Sequence, residues 1–288
     1  MPNIKICAVL LGKIIVAIGV LLAAILIFWY AAAGQYKWTG VPVLNYHQVN
    51  DQFQTPITTT TANFEIQMKY LHEHGYHSIT QAQFRDYLDN NAPLPDKPVL
   101  ITFDDGYQDN YVNAWPVLKK YDLTGTIFVV TGYVSYYPMY LTWNEIKEMN
   151  GDHMEFGSHT VSHIPLVQLD QQRVQKELTD SRKAIEDRVG YPVDFIAYPE
   201  GKYNDMIKEE TKNAGYAAAF TVETGRDYPS DDHYALHRVP IFEGSAHSFL
   251  HFRVRLLMST LCGYLWRSHA YVANTLHMPG LAAFIVQP

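Results

Sequence analysis

The sequence predicts an α/β fold of parallel βαβ units, and three observations carry that reading. Short apolar runs alternate with amphipathic helical stretches along most of the chain. The run VLITF at 99–103 is apolar almost throughout, as a strand covered on both faces of a parallel sheet must be. Residues 170–189 place Val174, Leu178, Ile185 and Val189 on one helical stripe that meets Gly190 at its end. Such units close into a barrel or open into a doubly wound sheet. In both, chemistry gathers at the C-terminal ends of the strands.

The elements follow in order. IIVAIGVLLAAILIFWYAAA (14–33) is twenty residues without a charge, long enough to cross a bilayer as a helix. Lys5 and Lys13 precede it, which keeps residues 1–13 cytoplasmic and sends everything after Gly34 outside. Ala31, Ala32 and Ala33 also offer an A-x-A-like site, so the alternative is a cleaved signal peptide. Either way residues 34–248 are an exported domain.

VPVLNY (41–46) reads as its first strand, and the threonines at 58–61 lead into a helix over 62–74 that carries Phe64, Met68 and Leu71 and stops near Gly75. A helix over 110–121, strands at 126–130, 154–158 and 195–199, a helix over 204–215 and strands at 217–222 and 238–242 complete the pattern. No acidic residue follows Glu243, while Arg253, Arg255 and Arg267 sit among Leu, Phe, Trp and Tyr. The segment 249–288 is therefore a closing helix with a surface extension, or an amphipathic stretch lying on the membrane.

Composition narrows the function. With 48% hydrophobic and 18% charged residues, the 288-residue chain has ample material for a core. A formal charge of −7 argues against nucleic acid as a partner. Cys7 and Cys262 lie far apart, without the spacing of a zinc finger or a disulfide framework.

The chemistry starts at ITFDDGYQDN (101–110), where an apolar strand ends in the adjacent carboxylates Asp104 and Asp105. Such a pair needs a cation or a shared proton. MEFGSHTVSH (154–163) supplies a partner: a second strand delivers His159 and then His163, and a helical turn there would put both imidazoles on one face. Two neutral histidines and one carboxylate form a common ligand set for a catalytic divalent cation with an open position. The other carboxylate is then close enough to take a proton from water. The same set also describes non-haem iron oxygenases, in which the second aspartate would be idle.

Together TFDDG and SHTVSH resemble the first two motifs of the polysaccharide deacetylases, carbohydrate esterase family four, over roughly residues 41–242. The resemblance implies a distorted (β/α) barrel that removes acetyl groups from sugars with a divalent ion, zinc first, with cobalt, nickel or iron as alternatives. It implies Asp104 as catalytic base and Asp105, His159 and His163 as metal ligands. VPVLNYHQV and IAYPEGKYN resemble the branch that acts on partially acetylated β-1,6-linked glucosamine polymers, so the implied partner is an acetylated amino-sugar polysaccharide.

In the third motif, Tyr198 and Pro199 lead to the Glu200 backbone N–H as oxyanion donor, and the negative charge of the Glu200 side chain is unhelpful there unless it points to solvent. Many members carry an arginine two residues before that proline, bound to the base; this chain has Ala197. The substitute comes from LHR: Arg238 would steady Asp104, or His237 would supply the general acid. Strand neighbours face opposite sides, so one of the two reaches the site, and Arg238 is the expected one. His47 lines the pocket at the end of the first strand, and Trp143 with Tyr136, Tyr137 and Tyr140 is available to stack on sugar rings. The rival reading is a surface glycan-binding module with a decayed catalytic site.

Overall fold

The computed structural model describes residues 40–52, 55–241, 249–270 and 275–276. The apolar run 14–33 lies outside them; among the described residues no helix is long and apolar enough to cross a membrane. The barrel begins with β1 (Val43–Tyr46), and two short strands, β2 (Gln48–Val49) and β3 (Thr58–Thr59), pair beside it. Then follow α1 (Thr61–Glu73), β4 (His77–Ser78), α2 (Gln81–Asn90), β5 (Pro98–Phe103), α3 (Trp115–Lys120) and β6 (Gly125–Val129). The second half runs α4 (Trp143–Met149), β7 (Met154–Ser158), α5 (Gln171–Val189), β8 (Phe195–Ala197), α6 (Asp205–Asn213), β9 (Ala218–Thr224), β10 (Leu236–Pro240) and α7 (Phe249–Ala270).

Parallel pairing runs β1-β10-β9-β8-β7-β6-β5, and β1 pairs again with β5, so seven strands close a barrel. Strand side chains alternate between two faces. Val43, Leu100, Phe128, Phe195, Phe220 and Leu236 meet in one apolar cluster, the barrel interior. Phe220 lies 5.5 Å from Phe128 and 5.7 Å from Phe195, ring centre to ring centre. Gly157 leaves room for this packing, since a Cβ there would collide with the Phe128 ring. From α2, Phe84 stacks on Phe195 and Phe220 and plugs the lower mouth. The alternate set, including Leu44, Ile101, Ile127, Phe156, Ile196 and Val239, belongs to the larger cluster under the helices. Each buried side chain of this kind contributes roughly 1.5–3 kcal/mol.

The same alternation positions the polar groups. Two residues beyond Val43 is Asn45; four beyond Leu100 is Asp104; two beyond Gly157 is His159; two beyond Leu236 is Arg238. All four are buried at or near the C-terminal ends of their strands.

Local outcomes differ from the sequence pattern at two places. The helix over 110–121 opens with a wide turn, Asn110–Ala114, in which the Trp115 N–H reaches back to the Asn110 carbonyl. Pro116, with no N–H of its own, shifts the bonding pattern there. The strand expected over 195–199 ends at Ala197, because Pro199 starts a tight 3-10 turn. In the tail, α7 packs on the barrel: Phe252, Leu256 and Cys262 are buried, and Arg226 donates to the Leu256 carbonyl (2.7 Å) and to Ser259 Oγ (2.8 Å). Residues 277–288 lie outside the described part.

Candidate active site

Asp104 ends β5 facing the barrel interior. Its Oδ1 accepts from Arg238 Nη1 at 2.7 Å and its Oδ2 from Asn45 Nδ2 at 3.0 Å, while His47 Nε2 lies 3.9 Å from Oδ2. Arg238 is fully buried and anchored by Nε to the Thr221 carbonyl at 2.7 Å. Burial alone would raise the Asp104 pKa; the charges of Arg238, His159 and His47 outweigh it and hold the carboxyl below its ordinary value. Ala197, where the family's arginine would stand, also faces inward. The guanidinium arrives from β10 instead of β8.

The next residue turns away. Asp105 has φ 72° and Gly106 φ 79°, both left-handed. For an aspartate this costs on the order of 1 kcal/mol, and at Gly106 a Cβ would come within 3.0 Å of Val129 Cγ1. The D-D-G sequence thus splits two neighbouring charges, one toward Arg238 and the other across to the histidines. Asp105 Oδ1 lies 3.4 Å from His159 Nε2 and 3.2 Å from His163 Nε2.

The stretch between the two histidines is not a helical turn. Thr160 (φ 69°) and His163 (φ 60°) curl it as a loop. Glu177 from α5 accepts from the Val161 and Ser162 amides at 2.8 and 2.9 Å, bonds that replace those a helix would have made. This curl brings the imidazoles together.

The donor set suits a divalent cation. His159 Nδ1 lies 2.7 Å from the Ala197 carbonyl oxygen. A carbonyl only accepts, so Nδ1 carries the hydrogen and the neutral ring presents its Nε2 lone pair to the Asp105 carboxylate. Lone pair against carboxylate is unfavourable unless a proton or a cation lies between. The ligand atoms of Asp105, His159 and His163 all lie within 4.8 Å of one another, two nitrogens and one oxygen with room for further ligands. With a proton in that place the rings become donors, and hydrogen bonds from His159 and His163 then outweigh burial and hold the Asp105 carboxyl well below the usual range.

His47 enters the same pocket. Asn110 Nδ2 donates to its backbone carbonyl (2.9 Å), and burial lowers the pKa of its ring. Pro199 is buried, and Glu200 turns at φ 56° with its side chain out in solvent, paired with Lys202.

Three expectations are corrected. Tyr198 does not line the pocket: it is fully buried, stacks on Tyr203 at 5.7 Å and donates its hydroxyl to the Tyr234 carbonyl at 3.1 Å. With Ala197 facing inward, strand alternation sends Tyr198 outward under α6. Trp143 packs on the outer core with Arg188 5.0 Å above its ring, at the last turn of α5, so that ring face is covered by a guanidinium and not open to a sugar. His237 faces away from Asp104, its backbone N–H and Nδ1 2.7 and 3.2 Å from Asp227 Oδ1, which removes it as the general acid. Sequence reasoning missed Asn45 and Glu177. The first was readable as the polar, inward member of the alternation that starts at Val43.

A closed parallel barrel with an acidic pair at one strand end and two histidines at another defines a class, and the comparisons agree on it. Residues 91–219 match the polysaccharide deacetylase family. A Bacillus subtilis protein named for that family, YxkH, is 35% identical over 208 residues, covering 72% of this chain and 74% of its own length. The chain belongs to the polysaccharide deacetylase family, hydrolases that cleave acetyl amides. The poly-beta-1,6-N-acetyl-D-glucosamine N-deacetylase of Staphylococcus aureus is 28% identical over 234 residues, 72% of this chain and 80% of that one. Among solved structures, the Streptococcus pyogenes deacetylase PplD in complex with acetate matches with a TM-score of 0.71 at 27% identity, over 76% of this chain and 98% of its own.

Proposed function

We propose that this polysaccharide deacetylase is a membrane-anchored, divalent-metal-dependent enzyme that removes acetyl groups from the N-acetylated amino sugars of an extracytoplasmic polysaccharide. The observation that carries the reading is the division of labour at the acidic turn: Asp104 is held by Arg238 and Asn45, apart from the donor set of Asp105, His159 and His163. An oxygenase would leave Asp104 idle. Zinc suits two imidazoles and one carboxylate, as do cobalt, nickel and iron. Once held by Asp105, His159 and His163, such an ion supplies Lewis acidity, polarising the acetyl carbonyl and acidifying a water.

The chain's own groups do the rest. Asp104 takes the proton of the attacking water, kept anionic by the buried Arg238 and oriented by Asn45. The Glu200 backbone N–H faces the developing oxyanion, its own carboxylate drawn off by Lys202. As the C–N bond breaks, the proton that Asp104 took from the water passes to the departing amine, with His47, whose Nε2 lies 3.9 Å from Asp104, placed beside that path. Water is consumed; acetate and a free amine leave.

The test is acetate release from N-acetylglucosamine oligomers by the exported domain, with and without chelator. Chelation should abolish release. Asp104→Asn should keep the bound ion and lose about 10³-fold in kcat, whereas Asp105→Ala should lose the ion itself. An Asp104→Asn enzyme as active as its parent would sink the assignment, and tight glycan binding without acetate would favour a binding module. Anchoring through residues 14–33 is checked by fractionation: the tagged full chain should stay with membranes after a high-salt wash, and recovery in the medium would mean cleavage instead.

A further inference from the structure

We infer that the loop 131–142 forms a preformed aromatic platform that holds neighbouring sugar units of the glycan while one unit reacts. The inference rests on the deacetylase reading and adds to it a subsite built of tyrosines. Tyr107, two residues after Asp105, stacks on Tyr140 with centroids 5.0 Å apart and planes 20° from parallel. Tyr140 lies 4.8 Å from Tyr133 and 6.2 Å from Tyr137; Tyr137 lies 4.7 Å from Tyr136. A continuous path of rings therefore leads from beside the acidic turn to the surface, where Tyr136 is 74% exposed and Tyr137 47%.

The loop is tied down on both sides of the site. The Leu141 amide donates to the Gly106 carbonyl and the Gln108 amide to the Met139 carbonyl, both at 2.9 Å. Tyr133 Oη donates to the Ser162 carbonyl at 3.2 Å, one residue before His163. Inside the loop, the Ser135 amide bonds the Leu141 carbonyl (2.9 Å) and the Tyr136 amide the Tyr133 carbonyl (3.0 Å). Little ordering entropy is then left to lose on binding.

The occupant follows from chemistry and continuity. No charged residue stands between Thr131 and Trp143, which suits an uncharged, acetylated stretch of chain better than an acidic or basic polymer. Tyrosine faces cover the C–H faces of pyranose rings while their hydroxyls reach sugar hydroxyls. Because the path begins beside Asp105, the sugars it meets are those adjoining the reacting unit.

The test compares a β-linked N-acetylglucosamine disaccharide with the pentasaccharide. The parent's kcat/KM should rise with chain length. The Tyr136→Ala/Tyr137→Ala double variant should lower the pentasaccharide-to-disaccharide ratio about tenfold, mainly through KM. The Tyr136→Phe/Tyr137→Phe pair, which keeps the rings, should retain most of the ratio. Equal ratios in parent and alanine variant, or a parent indifferent to length, would overturn the platform. Calorimetric titration of the pentasaccharide reads it apart from turnover: about tenfold weaker binding by the alanine variant supports it and unchanged binding refutes it. Absence of acetate from every oligomer would instead refute the deacetylase reading.

Discussion

Two clusters in this barrel contain almost the same side chains and are hydrogen-bonded in opposite ways. Asp105, His159 and His163 gather at the strand ends; Asp227, Asp231 and His237 gather on the outer side of β10. The closest carboxylate-to-imidazole distance is 3.2 Å in each. In the first, the His159 Nε2 lone pair is aimed at the carboxylate because its Nδ1 is committed to Ala197. In the second, Arg267 Nη1 lies 3.3 Å from His237 Nε2; an arginine only donates, so that lone pair is occupied and Nδ1–H turns to Asp227. The His237 backbone N–H also donates to the same Asp227 oxygen. The electrostatics diverge as well: hydrogen bonds from the His159 and His163 rings, made when a proton stands where the cation would, hold Asp105 well below the carboxylate range, whereas burial pushes Asp227 up to about 6. Residue type and distance do not make a metal centre. What makes one is lone pairs with nothing to fill them.

The largest expected effect tests that contrast directly. His159→Ala should lose the bound ion and at least about 10³-fold in acetate release, while His237→Ala should keep one ion per chain and activity within a few-fold. Metal analysis of the two purified variants decides it. Two ions in the parent, with one lost on changing His237, would break the comparison.

The cations beside the clusters come next. Arg238 is buried against Asp104, so Arg238→Met leaves a carboxylate uncompensated in the interior and should cost about 3–5 kcal/mol in chemical denaturation. It should also raise the Asp104 pKa and so move the acid limb of the kcat/KM profile to higher pH. A limb that stays put would mean that Arg238 does not hold the base.

How much of this was legible follows from how local each signal is. The long helix of α5, the strand VLITF and the two motifs stand out because each repeats its period or chemistry within a few residues. The short α4, and α2 with its few apolar positions, carry too little periodicity, although α2 plugs the barrel. That Arg238 and not His237 reaches Asp104 follows from alternation once Leu236 is known to face inward, and only the closed barrel tells which face is inside. The helical turn that would have aligned the two histidines does not form, and nothing in HTVSH reveals that Thr160 and His163 are left-handed. Tyr198 and Trp143 failed for one reason: an aromatic beside a motif is as readily a wall as a surface.

Stability against pH sharpens the second cluster. The Asp227 pKa rises from 3.8 to about 6 on folding. The folded state thus binds that proton more tightly, and the resulting stabilisation is complete below about pH 4 and lost as pH rises through about 6. The hydrogen bond to Asp227 raises the His237 pKa, which acts in the same direction. Asp227→Asn, which cannot ionise, should escape a penalty of about 3 kcal/mol. Its melting temperature should match the parent's near pH 4 and exceed it by several degrees at pH 7. A constant difference across that range would show that Asp227 titrates as an ordinary surface acid.

The smallest effect belongs to Arg267, the exposed cation beside His237. Solvent screens it, so Arg267→Gln should change stability by no more than about 1 kcal/mol. Its charge opposes protonation of His237, so the variant's imidazole should titrate at higher pH, as the ring resonances would report. Metal stoichiometry should stay at one, because the His237 backbone N–H still occupies the Asp227 oxygen nearest the ring. A second ion appearing in this variant alone would show that the side-chain charge of Arg267, and not the backbone bond, is what keeps the two clusters chemically apart.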